Sequence, residues 1–318
     1  MGVFWSRYPG GEVIKRKGDW IETDLSCLSK KSDCFFVTSS DVNKVYLFET
    51  NDTSDAELSL FNEDVKEQTK SNYLNMIEKG VDFCEKHDSG KIVLSRRKCV
   101  AHKGLNIDDL FENLCLKYPK ALVYVISSLE FGTWIGATPE IFIESDDNKL
   151  KTMALAGTLP NDDTEWSQKE FDEQKMVADY INSSLEELKV DYEMLPLESF
   201  SSGPVKHLRN VFEIHQSDGF QFSTFAKKMH PTPAVGGVPK QSALDQIRIL
   251  EFASRDLYTG LIGQKSQRET KVYVNLRCAR LFKDRLDVYV GGGITKDSIP
   301  EKEWKETEMK AETILSLI

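Results

Sequence analysis

Two acidic side chains on separate helical segments are candidates to hold a hard metal ion. Glu173 lies on the apolar stripe of a predicted long helix, three residues before Met176 and four before Val177. A carboxylate on a buried stripe must be neutralised there. Glu306 lies on the last predicted helix, four residues before Lys310 and therefore on the same face. Each pattern also fits a salt bridge, but together the two carboxylates could bind Mg²⁺, which takes few protein carboxylates.

Two further segments could bind an anionic ligand. Arg277 is predicted to lie within a strand, where a guanidinium suits bidentate binding of a carboxylate. A solvated face of the sheet would explain it equally well. Gly291, Gly292 and Gly293 follow a predicted strand and could offer backbone N–H groups to an anion. They lack the spacing and the following helix of a dinucleotide site, so a tight strand exit is the alternative.

Lys91 and Glu140 are candidates for proton transfer. Lys91 opens a predicted strand. A lysine in a closed, desolvated site loses its proton more readily and can act as a general base. Glu140 follows Pro139, which fixes the turn that aims the next side chain. Burial would raise the pKa of this carboxyl and allow it to act as a general acid. Taken alone, neither residue distinguishes a catalytic role from an ordinary surface position.

The elements that must position these residues alternate between short strands and amphipathic helices from residue 90 onward. Periodicity predicts helices over 105–117, 164–188, 220–229, 242–257 and 300–318, and strands over 92–94, 122–127, 272–276 and 286–290. The last two strands flank a charged turn and are expected to form a hairpin. No internal repeat or linker interrupts the pattern, which indicates one continuous α+β domain.

Composition narrows the class of protein. The chain has 318 residues, 40% of them hydrophobic, and a net charge of −10. An acidic surface argues against nucleic-acid and membrane partners, because both need a basic face. The six cysteines form no CxxC pair, which is typical of reduced thiols in the cytoplasm. No apolar run approaches the ~20 residues of a membrane span, and no signal peptide is evident. We therefore expect a cytoplasmic protein.

Seven segments occur in the order typical of the chorismate-binding family. The chain resembles that family over about residues 90–318. The family contains isochorismate synthase, salicylate synthase and the large subunits of anthranilate and aminodeoxychorismate synthases. The segments are Lys91-Ile-Val-Leu-Ser-Arg96, Gly136-Ala-Thr-Pro-Glu140, Ala154-Leu-Ala-Gly-Thr158, His230-Pro-Thr-Pro-Ala-Val-Gly-Gly237, Leu276-Arg-Cys-Ala279, Gly291-Gly-Gly-Ile294 and Glu303-Trp-Lys-Glu-Thr307. We expect residues 1–85 to be a divergent N-terminal part of the same domain and residues 86–318 to be the chorismate-binding catalytic core.

The resemblance implies a fold and a set of site residues. The fold is two stacked, mostly antiparallel sheets flanked by helices, as in anthranilate synthase component I, with the site between them. Glu173 and Glu306 would hold Mg²⁺, which grips the ring carboxylate of chorismate. Arg277, with Tyr258, would bind the enolpyruvyl carboxylate. The other residues implied to bind or surround the substrate are Gly157, Thr158, His230, Gly291, Gly292, Gly293 and Lys310. Many family members have histidine where this chain has Gln174, which leaves that histidine's role in doubt.

The resemblance also favours one reaction. Members that use water carry a lysine at the position of Lys91, which would deprotonate water for attack at C2. Aminodeoxychorismate synthases carry a nucleophilic lysine at the position of Ala156, which cannot attack the ring. Glu140 would protonate the departing C4 hydroxyl. The predicted activity is therefore a Mg²⁺-dependent isomerase, isochorismate synthase, with chorismate as substrate, and we expect a monomer without a glutaminase subunit.

Three alternatives remain open. Salicylate synthase shares the same base and acid and then eliminates pyruvate, and the two activities are thought to diverge around Ala234 and Val235. Small apolar residues at these two positions fit either activity and slightly favour isochorismate synthase. An ammonia-using synthase and a non-catalytic chorismate-binding homologue are the others. If isochorismate is the product, it would serve either menaquinone or siderophore biosynthesis.

Overall fold

The computed structural model describes residues 1–31, 33–51, 57–62, 68–87, 90–146, 149–162, 165–202, 205–215, 220–266 and 269–318. Within them lie seven helices and seventeen strands. The helices are α1 (Cys27–Lys30), α2 (Lys70–Glu85), α3 (Ile107–Lys117), α4 (Gln168–Glu187), α5 (Phe222–Met229), α6 (Lys240–Leu250) and α7 (Pro300–Leu315). The strands are β1 (Gly2–Arg7), β2 (Ile14–Thr23), β3 (Cys34–Thr38), β4 (Val45–Thr50), β5 (Lys91–Ala101), β6 (Leu122–Ser128), β7 (Gly132–Thr138), β8 (Ile141–Asp146), β9 (Lys149–Pro160), β10 (Tyr192–Met194), β11 (Glu198–Ser202), β12 (Val205–His215), β13 (Gly237–Val238), β14 (Leu261–Lys265), β15 (Thr270–Val274), β16 (Cys278–Leu281) and β17 (Arg285–Ile294).

The strands form one continuous antiparallel ribbon. In order of pairing it runs β13, β5, β17, β16, β7, β6, β1, β2, β4, β3, β14, β15, β8, β9 and β12, and both β10 and β11 pair with β12. One core cluster contains Trp134 and Tyr289 from one half and Ile262 and Tyr273 from the other. The ribbon is therefore folded over on itself. The predicted α+β fold of two stacked sheets with helices outside is confirmed, although backbone pairing continues from one sheet into the other.

The first four strands join the two halves of the ribbon. β1 pairs with β6 of one half, and β3 pairs with β14 of the other. Residues of the predicted parts 1–85 and 86–318 thus share one sheet. Arg7, at the end of β1, donates hydrogen bonds to the carbonyls of Cys115, Tyr118, Pro119 and Ala121 around the end of α3. A helix end leaves its last carbonyls without intrahelical donors, so Arg7 stabilises both elements.

Local sequence explains the two helices that carry the candidate metal ligands. α4 begins with a capping box of Ser167 and Glu170, which satisfies N–H groups of the first turn. Its apolar residues recur at helical spacing and are buried against β9 and β12. The predicted start of this helix, residue 164, lies outside the described residues. α7 begins with Pro300 at its first turn, where a proline costs no hydrogen bond, and packs on β17.

Four sequence-based predictions are corrected by the structure. The hairpin predicted for 272–276 with 286–290 is wrong, because β15 pairs with β14 and β8 while β16 is the hairpin partner of β17. Arg277 lies in the break between β15 and β16 with a φ of +50°, so it is not in a strand. The glycines 291–293 lie inside β17 and pair with β5, rather than forming a strand exit. The helix predicted over 242–257 ends at Leu250.

Cys27, Cys34, Cys84, Cys115 and Cys278 are not in disulfides. None of the helices that the structure describes combines the length and the apolar character needed to cross a bilayer.

We expect Arg7→Met to lower the free energy of unfolding by about 2–4 kcal/mol, because buried carbonyls at the end of α3 would lose a charged donor. Urea unfolding monitored by circular dichroism measures this change. Arg16→Met, at an exposed position on β2, is the matched control and should change stability by less than about 0.5 kcal/mol. Equal midpoints for both variants would contradict the role assigned to Arg7.

Candidate active site

A cavity lies between β5 and β17 on one side and β9 and β12 on the other, and side chains of α4 and α7 reach it. The empty space within it is about 680 Å³, including open solvent at its mouth. Many of the residues predicted for the site line this one cavity. These are Glu140, Gly157, Thr158, Glu173, Ala234, Tyr258, Arg277, Gly291, Gly293 and Lys310.

Lys91 and Glu173 form a buried ion pair beside the cavity. The Lys91 Nζ lies 3.0 Å from Glu173 Oε1, and the lysine side chain is only 1% exposed. Burial raises the pKa of Glu173, but the positive charges of Lys91, Lys169 and Lys310 outweigh it and hold the pKa below its usual value. The first residue of β5 and the middle of α4 are thus joined by opposite charges, and the Glu173 carboxylate is ionised at neutral pH.

One face of α7 carries a second set of charges. The Lys310 Nζ donates to Glu306 Oε1 at 2.6 Å and to the Gly291 carbonyl at 2.9 Å. One turn earlier, Glu303 is buried and accepts from Lys169 Nζ of α4 at 2.6 Å. Burial raises the pKa of Glu303 to about 7, and the negative charge of Glu306 adds to the increase. The two helices are therefore linked by charge at the cavity, and Glu303 is a site residue that the sequence did not single out.

The acidic groups converge on two adjacent glycines of β17. A Cβ on Gly293 would overlap Glu173 Oε1, and one on Gly292 would lie 3.6 Å from Glu303 Oε2 and 3.8 Å from Glu306 Oε1. Carboxylate oxygens are the donors that Mg²⁺ prefers, so this donor set fits that ion. Among the described residues, no three or more His, Cys, Asp or Glu side chains are grouped so that they could hold a metal. Oxygens of substrate or water would have to complete the coordination.

Glu140 lies on the cavity wall, immediately before β8. Its side chain is buried, and burial raises its pKa to about 7 despite the opposing positive charges of Lys91, Lys310 and Arg277. The carboxyl is therefore protonated below about pH 7 and can donate a proton in that range. Cations surround the conjugate base and stabilise it after the proton has left.

His207 holds Arg277 in place and was missed by the sequence analysis. Its Nδ1 lies 2.9 Å from the Gly157 carbonyl, and its Nε2 lies 3.2 Å from Arg277 Nη2. Because a carbonyl can only accept, Nδ1 carries the proton and Nε2 accepts from the guanidinium. Burial lowers the pKa of His207 to about 3, and the charges of Arg277 and Lys310 contribute. A neutral imidazole thus orients the arginine, whose Nη1 also donates to Thr313 of α7 at 3.1 Å.

A local irregularity places His207. The register between β12 and β9 shifts between Lys206 and Leu208, so that His207 of β12 stands opposite both Gly157 and Thr158 of β9. β9 carries the extra residue, and such a bulge changes the local direction of the side chains. On β9, Gly157 has a φ of +68°, and a Cβ there would lie 3.0 Å from Glu170 Cβ. Glycine is therefore required at position 157 of β9. A single histidine in an alternating strand carries no sequence signal for such a role, because the signal is the bulge.

Neither His230 nor Gln174 lines the cavity. His230 does not line it, contrary to the prediction. Its Nε2 lies 3.0 Å from the Ser40 carbonyl, and the ring lines a different cavity. The correction follows from the end of α5, where His230 turns into extended backbone and its buried ring packs against Phe142. Gln174 donates to Asn210 Oδ1 at 2.6 Å, so it packs α4 on β12 rather than serving the site.

The sequence profile described as "Chorismate binding enzyme" matches residues 15–318. Isochorismate synthase EntC of Escherichia coli (strain K12) is 27% identical over 241 residues, which are 71% of this chain and 62% of that protein. The chain thus spans less than two thirds of the length of this relative.

Among solved structures, the protein DhbC of Bacillus anthracis superposes with a TM-score of 0.84 at 21% identity, covering 99% of this chain and 95% of that one. Anthranilate synthase component I of Streptococcus pneumoniae superposes with a TM-score of 0.73 at 20% identity, covering 98% and 89%. At these identities the structural likeness shows the fold alone.

We expect His207 to stay neutral from about pH 8 to about pH 5, because its pKa lies near 3, whereas an ordinary histidine titrates near 6.5. Nitrogen-15 NMR of the ring should show a protonated Nδ1 and an unprotonated Nε2 throughout. The exposed His215 is the internal comparison, and the spectrum of His207→Gln assigns the signal. Protonation of both ring nitrogens above pH 5 would contradict the hydrogen-bond arrangement described here.

Proposed function

The chain belongs to the family of chorismate-binding enzymes, and from that premise we propose that it is an isochorismate synthase. It converts chorismate to isochorismate by adding water at C2 and releasing the C4 hydroxyl. The observation that carries the proposal is that the protonatable Glu140 lines the cavity with Arg277 and Lys310, while Lys91 is paired with the lining residue Glu173. The substrate is a dianion, and such a site needs cations for its carboxylates and an acid and a base for water exchange.

Binding of the two carboxylates follows from the fixed cations. Arg277 is held by His207 and Thr313, so its guanidinium is oriented before substrate arrives. It binds the enolpyruvyl carboxylate together with Tyr258, which is buried on the same wall. Lys310 lies near the ring carboxylate. The backbone of the glycine-containing strands, at Gly157, Thr158, Gly291, Gly292 and Gly293, offers close approach to the carboxylate oxygens.

Glu173 and Glu306 are the residues proposed to hold Mg²⁺. Bound there, the ion supplies positive charge for the ring carboxylate inside an acidic protein. Both carboxylates are paired with lysines in this structure, so the site is balanced for charge before a cation enters. Glu303 lies on the same face of α7 and is tied to α4 by Lys169.

The chemical step needs one proton acceptor and one proton donor. Lys91 first gives up the proton of its ammonium group, and the resulting amine then takes a proton from water as the water oxygen bonds to C2. Both ring double bonds shift, from C1=C2 to C1=C6 and from C5=C6 to C4=C5. The C4–oxygen bond breaks, and Glu140 gives a proton to the departing hydroxyl, which leaves as water. One water is consumed and one released, so the reaction is an isomerisation. Lys91 ends as an ammonium and Glu140 as a carboxylate, and exchange with solvent restores both.

The same chemistry makes a further protein component unnecessary. A water-using enzyme requires no ammonia, and we therefore propose that the chain acts without a glutaminase subunit. Isochorismate formed in this way would supply menaquinone or catechol siderophore biosynthesis.

Incubation of the purified chain with chorismate and Mg²⁺, followed by chromatography, tests the function. We expect isochorismate as the product, loss of activity with EDTA and recovery on adding excess Mg²⁺. Salicylate with pyruvate would identify a salicylate synthase instead. Anthranilate formed in the presence of ammonium would identify an aminating enzyme, and tight chorismate binding without turnover would identify a non-catalytic homologue.

We expect Lys91→Ala and Glu140→Gln each to lower kcat by about 10²–10⁴-fold, the usual contribution of a positioned base or acid. In the unchanged enzyme, the acid form of Glu140 is lost as pH rises through about 7, so activity should fall above that pH. The variants Lys103→Ala and Glu130→Gln, both at exposed positions, are matched controls. Wild-type turnover in either site variant would refute its assigned role.

A further inference from the structure

We propose that Glu251 and Arg255 form a clamp that positions Lys91, the base of the proposed reaction, from behind the cavity wall. Neither residue is assigned a role in the mechanism above. Both side chains are buried, with 6% of Glu251 and 9% of Arg255 exposed. A buried ion pair contributes little to stability compared with apolar residues of similar volume, so stability alone does not account for its presence. The inference rests on the proposed function, because it assigns Lys91 as the base.

The Arg255 guanidinium joins two parts of the cavity wall. Its Nη2 donates to the Val93 carbonyl at 2.7 Å, and its Nη1 donates to the Val235 carbonyl at 2.6 Å. Its Nε donates to Glu251 Oε2 at 2.9 Å. Val93 and Val235 both line the cavity. One planar group therefore fixes the spacing between β5 and the loop that precedes β13.

Glu251 completes the same contact on β5. Its Oε1 accepts from the Ser95 backbone N–H at 2.7 Å and from Arg255 Nη2 at 2.6 Å. Val93 N–H is also bonded on this side, to the Gly236 carbonyl at 2.8 Å. The N–H and C=O of Val93 and the N–H of Ser95 therefore all have hydrogen-bond partners along one edge of β5.

The clamp takes the place of a missing neighbouring strand. β5 pairs with β17 over most of its length, but on its other edge it pairs with β13 only at Ile92 and Lys91. Beyond Ile92 the edge would be left with free backbone groups, which bury poorly. Glu251 and Arg255 supply the partners there. Because Lys91 lies only two residues before Val93, its backbone position depends on this edge.

Sequence periodicity predicted that this segment continues the helix α6. In the structure α6 ends at Leu250, and Glu251 and Arg255 lie in irregular chain that turns toward β5. A surface pair four residues apart on a helix would not reach a strand. The early end of α6 therefore gives this ion pair access to the cavity wall.

Steady-state kinetics with chorismate and Mg²⁺ test the clamp in the variant Arg255→Lys. Lysine keeps the charge but cannot reach both carbonyls and the carboxylate with a planar fork. We expect kcat to fall about 10- to 100-fold, the effect of a small displacement of a catalytic group. The KM for chorismate should stay within about threefold, because Arg277 and Lys310 are untouched. Arg248→Lys, which alters an exposed ion pair with Asp245 on α6, is the control and should leave both constants unchanged.

Hydrogen exchange provides a readout that does not depend on the reaction. In Arg255→Lys, peptides covering 91–96 and 234–238 should exchange faster than in the unchanged protein, while α3 and the strands β1–β4 exchange equally. Unchanged exchange in these peptides, or unchanged kcat despite faster exchange, overturns the clamp. A raised KM with unchanged kcat also overturns it, since that result would make the pair a part of substrate binding.

Failure of the proposed function and failure of the clamp give different experimental results. If the unchanged protein does not convert chorismate, the proposed function fails, and the exchange result alone decides whether the pair holds β5. If Arg255→Lys does not fold, Glu251→Gln is measured in its place. It preserves an acceptor for Ser95, so we expect the same pattern with a kcat about 3- to 10-fold lower. Failure of both variants to fold overturns the proposal and makes the pair purely structural.

Discussion

Charge balance among the largely buried side chains around the cavity is the constraint on which the rest of this structure depends. Lys91 is held by Glu173, and Lys310 by Glu306, so each of these lysines has an anion at hydrogen-bonding distance. Arg277 is held instead by the neutral side chains of His207 and Thr313. Inside a protein the attraction between such charges is several times that in water, and an unpaired buried charge would be strongly destabilising. Each buried lysine therefore needs its carboxylate partner in place. The contacts of Lys91 and Lys310 tie the helices α4 and α7 to the strands β5 and β17.

The folded ribbon meets this constraint by bringing distant segments to one place. α4 packs on the β9–β12 side and α7 on β17, and their charged faces meet only because the two halves of the ribbon are stacked. The glycines of β17 leave room for the carboxylates between them. Arg277 has a left-handed backbone conformation between β15 and β16. Its guanidinium is held by His207, which lies at the register shift between β12 and β9. The irregular backbone at the site thus positions the side chains, while the regular strands keep the surrounding structure rigid.

The sequence predicted what depends on local spacing and failed where position depends on distant chain. The contact between Glu306 and Lys310 follows from helical periodicity, and the fold class followed from ordered motifs. His207 could not be found, because its role arises from a register shift between β12 and β9. His230 was placed in the site by its motif, yet the end of α5 turns it toward Ser40. The hairpin of β16 and β17 was misassigned because a strand break at positive φ has no signal in a non-glycine residue.

The bridging position of the first four strands has a consequence for how the chain acquires its shape. β1 is made early but pairs with β6, more than a hundred residues later, and β3 waits for β14 near the end of the chain. Contacts so distant in sequence are closed late, and topologies rich in them fold slowly. During synthesis the nascent N-terminal strands hold unpaired edges until most of the polypeptide has emerged from the ribosome. Such edges are prone to association between chains, so chaperone supply and growth temperature should govern the soluble yield of this protein.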